Sequence, residues 1–105
     1  MESFSAKRVI AIDQGTTGTR AISVDISGRI RSTSYTSHQQ IQPQPGWVEH
    51  DPIEIWESTC QVLKETLRND EDNLQVAGIG LANQGETIMA WRRSTGIPIH
   101  NAIVW

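Results

Sequence analysis

A single cysteine, Cys60, leaves this 105-residue chain without the means for an internal disulfide, so it is not a small secreted scaffold held by cross-links. No apolar run approaches the length of a membrane-spanning helix or the core of a signal peptide, and a reducing cytosol is the simplest expected location. Positive charge is also scarce. Nine basic residues stand against twelve acidic ones, for a net charge of −3, and they are interspersed rather than clustered, so there is no footprint for nucleic acid. His38, His50 and His100 lack metal-ligand spacing and are expected in loops or on the surface. Neither an internal repeat nor a low-complexity tract is present. Hydrophobic residues make up 37% of the chain, enough for one modest core. Cys60 falls on a predicted helix, where packing is its expected role.

The most informative stretch is Asp13-Gln14-Gly15-Thr16-Thr17-Gly18-Thr19-Arg20, which directly follows the apolar run Val9-Ile10-Ala11-Ile12. A β-branched run of this kind fits a strand buried on both faces, ending at Asp13, and ligands collect at such strand ends. Gly15 and Gly18 allow positive φ and close approach of backbone N–H groups to an anion, while Thr16, Thr17 and Thr19 add hydroxyl donors. Asp13 offers the hard oxygen ligands that magnesium prefers. Arg20 offers a charged fork for a phosphate or a carboxylate. No Gly-Lys-Ser or Gly-Lys-Thr follows, so this is not a P-loop. The same residues also fit an ordinary hairpin turn capped by Asp13.

Further along, alternation at Ile22, Val24 and Ile26 predicts a second strand, and Arg29 to Ser37 a third, completing an antiparallel meander. Gln42 to Gly46, with two prolines, is a loop. Asp51-Pro52-Ile53-Glu54 starts a helix, with Asp51 as N-cap, Pro52 at the first helical position and Glu54 as capping-box partner. Ile55, Trp56, Thr59, Val62, Leu63, Thr66 and Leu67 form its apolar stripe, which belongs to the core. Asn69 to Asn73 is a polar connection. Leu74 to Ala82 reads as a buried strand whose Gly78 and Gly80 permit close packing, parallel to the first strand. Thr87 to Trp91 and Ile97 to Val104 read as another strand pair, turning at Ser94-Thr95-Gly96. The sum is a mixed sheet of five or more strands with a covering helix. Trp47, Trp56 and Trp91 are expected to pack.

Asn83-Gln84-Gly85-Glu86-Thr87 again follows a strand, and Glu86 can accept hydrogen bonds from a polyol's hydroxyls. The bland alternative is a β-turn with a solvated glutamate. For Trp105 it is an aromatic at a strand end that serves packing.

Four ordered stretches carry a family resemblance: Ile12 to Arg20, Pro45-Gly46-Trp47-Val48-Glu49-His50-Asp51-Pro52, Asn83 to Thr87, and Pro98 to Trp105. Together they resemble the FGGY carbohydrate kinases, of the sugar kinase, actin and Hsp70 ATPase superfamily. The resemblance implies a ribonuclease H-like α/β fold, present as a partial domain. Residues 1–105 would be the N-terminal part of the first of two domains, in a chain that looks truncated.

It also implies ATP and Mg2+ as cofactors, a cytoplasmic, homo-oligomeric parent and transfer of phosphate to glycerol or a similar polyol, giving glycerol 3-phosphate from glycerol. Asp13 and Arg20 would be catalytic, with Asp13 on the metal, and Gly15, Thr16, Thr17 and Gly18 would bind nucleotide. Gly85, Glu86 and Trp105 would meet substrate. In the glycerol-phosphorylating members an arginine stands where this chain has Gly85, which opens the alternative of another polyol or a sugar. The family's general base, an aspartate in a later Gly-Asp-Gln motif, is not among these residues, so the 105-residue chain alone is expected to be inactive. Outside the kinases, a non-catalytic nucleotide-binding fragment and a purely structural fragment are the competing readings.

Overall fold

The computed structural model describes residues 7–105. Strand β1 (Lys7–Gln14) turns into β2 (Gly18–Asp25), which turns into β3 (Ile30–Ser37). Both neighbours pair antiparallel. The second turn is closed by Asp25, whose carboxylate accepts from the backbone N–H groups of Ser27 and Arg29, and Gly28 there takes a φ of 87°. The expected meander is present.

Strand β4 (Glu49–His50) precedes helix α1 (Pro52–Arg68). Asp51 caps that helix by accepting from the Ile53 N–H at 2.9 Å, and Pro52 needs no donor there. Glu54 is not the capping-box partner the sequence predicts. Its carboxylate accepts instead from the backbone N–H of Gln39, so it joins the helix start to the segment after β3. The helix then leads to β5 (Gln75–Ala82), which pairs parallel with β1, as a strand–helix–strand connection requires. The sheet order is β3-β2-β1-β5, four strands rather than five or more. A separate ribbon pairs β4 with β6 (Ala102–Ile103).

The expected hairpin of Thr87 to Trp91 with Ile97 to Val104 survives as isolated bridges, Ile88 to Ile103 and Trp91 to Pro98. Its turn is centred one residue earlier than the sequence suggests, since both Thr95 and Gly96 N–H groups donate to Arg92.

Helix α1 lies over β2 and β3, and the inner faces of β1 and β2, together with Ser34 of β3, are buried beneath it. Ile10, Ile12, Ala21 and Val62 form the core, with Leu63, Leu67 and Val76 against it. β1 therefore alternates, with Val9, Ala11 and Asp13 exposed, contrary to the expectation of burial on both faces. β5 departs further. It lies at the sheet edge beyond the helix, Leu81 is 70% exposed, and a Cβ at Gly78 or Gly80 would meet nothing within 4 Å. Trp47, Trp56 and Trp91 are likewise exposed rather than packed, Trp56 by 66% because the helix turns Ser58, Val62 and Thr66 inward instead.

The connection after α1 is more than a polar link. Asp70 is buried and pairs with Arg8 at 3.2 Å and with Arg31 at 3.1 Å. Arg8 also donates to the Leu67 and Leu74 carbonyls, so one guanidinium serves the last helical turn and the start of β5 together. Arg31 holds Asp25 and Asp72 as well. Among the described residues no helix is long and apolar enough to cross a membrane.

Candidate functional site

The motif Asp13 to Arg20 is the tip of the β1–β2 hairpin. Gly15 N–H donates to the Gly18 carbonyl at 2.9 Å, and Thr16 and Thr17 stand exposed at the apex. The hairpin geometry is common to both readings of the motif. Positive φ is not what its glycines contribute, since that region is occupied by Gly28, Gly46, Gly96 and Asn73 among the described residues. Gly18 answers to close approach instead. A Cβ there would lie 2.5 Å from the Thr36 carbonyl oxygen and 2.6 Å from Tyr35 Cζ, with the Tyr35 hydroxyl closer still. Thr19 is not a loop donor either, because its position in β2 turns its hydroxyl into the core, fully buried.

Asp13 and Arg20 are cross-strand partners, so both side chains rise from the face of the sheet without the helix. They form no ion pair. Arg20 stacks over the Tyr35 ring with 4.7 Å to its centroid, and both it and Asp13 remain exposed to a ligand. No cluster of three metal-ligating side chains occurs among the described residues. Asp13 can therefore supply one carboxylate, which suits an ion that keeps its waters and takes further oxygens from phosphates.

Parallel pairing with β1 sets Ala82 beside Asp13, so Asn83 to Thr87 emerges next to the hairpin although about seventy positions separate them. Gln84 makes the join. Its amide nitrogen donates to Gln14 Oε1 at 3.0 Å and approaches His50 Nδ1 at 3.4 Å, while its oxygen accepts from the Thr87 hydroxyl. Gly85 and Glu86 project from the turn into open surroundings, and a Cβ at Gly85 meets nothing within 4 Å. Neither backbone nor packing demands glycine there.

Trp105 belongs to the ribbon. Its carbonyl accepts from Val48 N–H at 2.6 Å, and Trp47, Val48, Glu49, His100, Ile103 and Trp105 line a cleft of about 410 Å³. Ile88 bridges Ile103 antiparallel, but that bridge is isolated and Glu86 lies in the turn before it. Glu86 does not line the cleft. Glu49 does, buried and bonded by Asn101 Nδ2 at 3.2 Å.

His38 lies in the loop after β3, one of the two settings expected for the histidines, whereas His50 lies in β4, and neither is on the surface. Both are buried, His50 completely, and their rings meet edge-on with centroids 4.2 Å apart. Burial, then the neighbouring His38, lowers the pKa of His50, against a smaller opposite effect of Glu54. Sequence reasoning missed these histidines together with Gln14, Gln40 and Gln84. One signal was present: Gln14 ends β1 and Gln84 lies two residues past the end of β5, and the two strands are parallel neighbours.

A hairpin loop and a polar turn side by side at the carboxyl ends of parallel strands, beneath a meander and one helix, define part of a sugar kinase or actin-like ATPase domain. Over all of its residues the chain superposes on the glycerol kinase of Plasmodium falciparum, solved with ADP, with a TM-score of 0.87 and 37% identity, spanning 21% of that chain. Against the xylulose kinase of Rhodospirillum rubrum the TM-score is 0.85 at 27% identity, over 91% of this chain and 20% of that one.

Residues 8–105 match the N-terminal domain of the FGGY family of carbohydrate kinases, and the chain belongs to that family. It is 50% identical to the glycerol kinase of Leifsonia xyli subsp. xyli over 95% of its own length. To that of Klebsiella pneumoniae subsp. pneumoniae it is 51% identical over 94%. The chain spans about a fifth of the length of these relatives.

Proposed function

We propose that residues 1–105 are the opening part of the first domain of a kinase that transfers the γ-phosphoryl group of ATP to a terminal hydroxyl of glycerol or a similar polyol. The observation that carries this reading is the contact of Gln84 with Gln14 at 3.0 Å, which joins a phosphate-type hairpin to a hydroxyl-binding turn. In this assignment Gly15, Thr16, Thr17 and Gly18 face the nucleotide phosphates. Arg20 stabilises charge on the transferred group, and Asp13 holds Mg2+ directly or through water. Glu86 accepts from substrate hydroxyls and Trp105 covers the carbon chain. Bound ATP supplies the phosphoryl group and Mg2+ the counter-charge, and the rest is positioning by the protein. The same reading takes the protein to be a cytoplasmic homo-oligomer, as the family resemblance implies.

A second acceptor class is favoured by one observation, the empty space at Gly85. An arginine fork there would bind a short polyol, whereas glycine leaves room for a longer one or a sugar. Losing one such hydrogen-bonding group costs a substrate that uses it about 1–3 kcal/mol. The test is ATP-dependent phosphorylation by the full-length protein across glycerol, longer polyols and pentoses, with Gly85→Arg alongside. Efficient turnover of glycerol by the unmodified protein supports the first acceptor. Preference for a larger acceptor, with glycerol gained only on Gly85→Arg, supports the second, and no phosphorylation of any of them overturns the reading.

A further inference from the structure

Between the hairpin and the Asn83 to Thr87 turn lies a chain of side-chain hydrogen bonds whose donors and acceptors can be assigned from chemistry alone. Gln40 Nε2 donates to the Thr16 carbonyl at 2.8 Å, which turns Gln40 Oε1 toward His50 as an acceptor only. His50 Nε2, 2.7 Å from that oxygen, must then carry the proton. His50 Nδ1 is left as a bare acceptor, and the amide it meets is Gln84 Nε2 at 3.4 Å. Gln84 shares that amide with Gln14 Oε1, and Gln14 Nε2 donates to the Gly15 carbonyl. His38 completes the set. Its Nε2 faces the Thr16 carbonyl at 3.0 Å and is therefore protonated too, so its 3.3 Å approach to His50 Nε2 is contact between two donors. The hairpin apex is thus held at Thr16 from one side and at Gln14 and Gly15 from the other. Both lines end on His50, which has no access to solvent.

We propose that His50 and Gln84 are positioning residues that fix the nucleotide hairpin relative to the acceptor turn, so that order in one motif is set by contacts in the other. This rests on the kinase reading for the ligands, and on the geometry alone for the coupling. Gln84 is the informative member because it sits in the acceptor turn. If it served that turn only, through the Thr87 hydroxyl, its loss would weaken acceptor binding and leave the nucleotide hairpin untouched.

The experiment uses the full-length protein and its Gln84→Met variant, with two readouts. Amide hydrogen exchange at residues 14–18, without ligands, should accelerate about five- to tenfold, the factor carried by one net hydrogen bond of ordinary strength. Exchange in α1 should stay unchanged. The Kd of a non-hydrolysable ATP analogue, measured with no acceptor present, should rise by a similar factor. Unchanged exchange at the hairpin overturns the coupling. Faster exchange with an unchanged Kd overturns the assignment of the coupling to nucleotide binding. Faster exchange in a protein whose unmodified form binds no ATP analogue upholds the coupling and refutes the kinase reading instead. Gln40→Met, at an exposed position that holds Thr16 and reaches Gln84 only through His50, tests the coupling in the opposite direction should Gln84→Met fail to fold: exchange at residues 84–87 should accelerate, and unchanged exchange there overturns the coupling.

Discussion

Replacing Asp70 by asparagine keeps the shape of the side chain and removes its charge, which isolates what the buried ion pair contributes. The Arg8 and Asp70 side chains are each only 2% exposed, and among the described residues Arg8 has no second carboxylate. Its other partners are the Leu67 and Leu74 carbonyls and the Ser23 hydroxyl at 3.5 Å, which satisfy N–H groups without balancing charge. Arg31 is less affected, since Asp25 and Asp72 remain to it and its side chain is 15% exposed. The cost is therefore dominated by one uncompensated buried guanidinium, about 3–5 kcal/mol, against a whole-domain stability of about 5–15 kcal/mol.

Urea unfolding followed by far-ultraviolet circular dichroism measures it, with the midpoint falling and the slope unchanged. The double variant Arg8→Met with Asp70→Leu should recover most of the loss, because an apolar pair needs no counter-charge. The pH dependence has a definite sign. Hydrogen bonds from Arg31 hold Asp70 below its ordinary pKa, so its contribution is full above about 3.9, the ordinary carboxylate value, and fades as pH falls toward the lowered one. Asp70→Asn should lack that part of the acid transition. A loss under about 1 kcal/mol, with an unaltered acid limb, would show that Arg8 is hydrated and the reasoning wrong.

Two further outcomes follow from the hairpin and the histidine pair. Gly18→Ala should destabilise the protein by about 1–3 kcal/mol, because the new methyl meets the Thr36 carbonyl at 2.5 Å and backbone cannot swing aside. Adding Tyr35→Phe should not relieve it, and a Gly18→Ala protein with the parent's urea midpoint would refute the close-approach account. For His50 the pKa is lowered in the folded state, so the unfolded chain takes up its proton first. Stability should hold above about pH 6.5, the ordinary imidazole value, and decline below it down to the lowered value. The ring faces His38, and Glu54 acts against the shift. Urea midpoints between pH 7.5 and 5.5 test this, with His50→Gln expected to flatten the slope and a flat profile in the parent counting against it.

What could be read from the chain was what depends on neighbours in sequence. The strand before Asp13, the meander through Ser37 and the Asp51-Pro52 helix start all rest on local alternation, turn chemistry and capping, and all three are present. Burial was a different matter. Val9-Ile10-Ala11-Ile12 and Val76 to Ala82 are apolar enough for strands covered on both faces, yet in this structure α1 covers only the inner face of β1 and stops short of β5. Composition records that a residue tolerates burial, whereas coverage is decided by where a helix seventeen residues long comes to lie.

The candidate site divides along the same line. Asp13, the exposed Thr16 and Thr17, Arg20, Glu86 and Trp105 could be named from motifs because each motif is contiguous. What links them could not, because Gln14, Gln40, His50 and Gln84 owe their meeting to the parallel pairing of β1 with β5 and to the two-residue strand β4. A histidine with no metal spacing and a glutamine beside a turn carry no signal singly. Gathered around the fully buried ring of His50, whose two nitrogens meet Gln40 Oε1 and Gln84 Nε2, they form a unit in which each assignment forces the next. Such a unit is stiff for the reason that made it illegible: its order depends on the fully buried ring of His50, and breaking either bond to that ring leaves one of its nitrogens without a partner. That is why a change in the Asn83 to Thr87 turn is expected to be felt at the Asp13 to Arg20 hairpin.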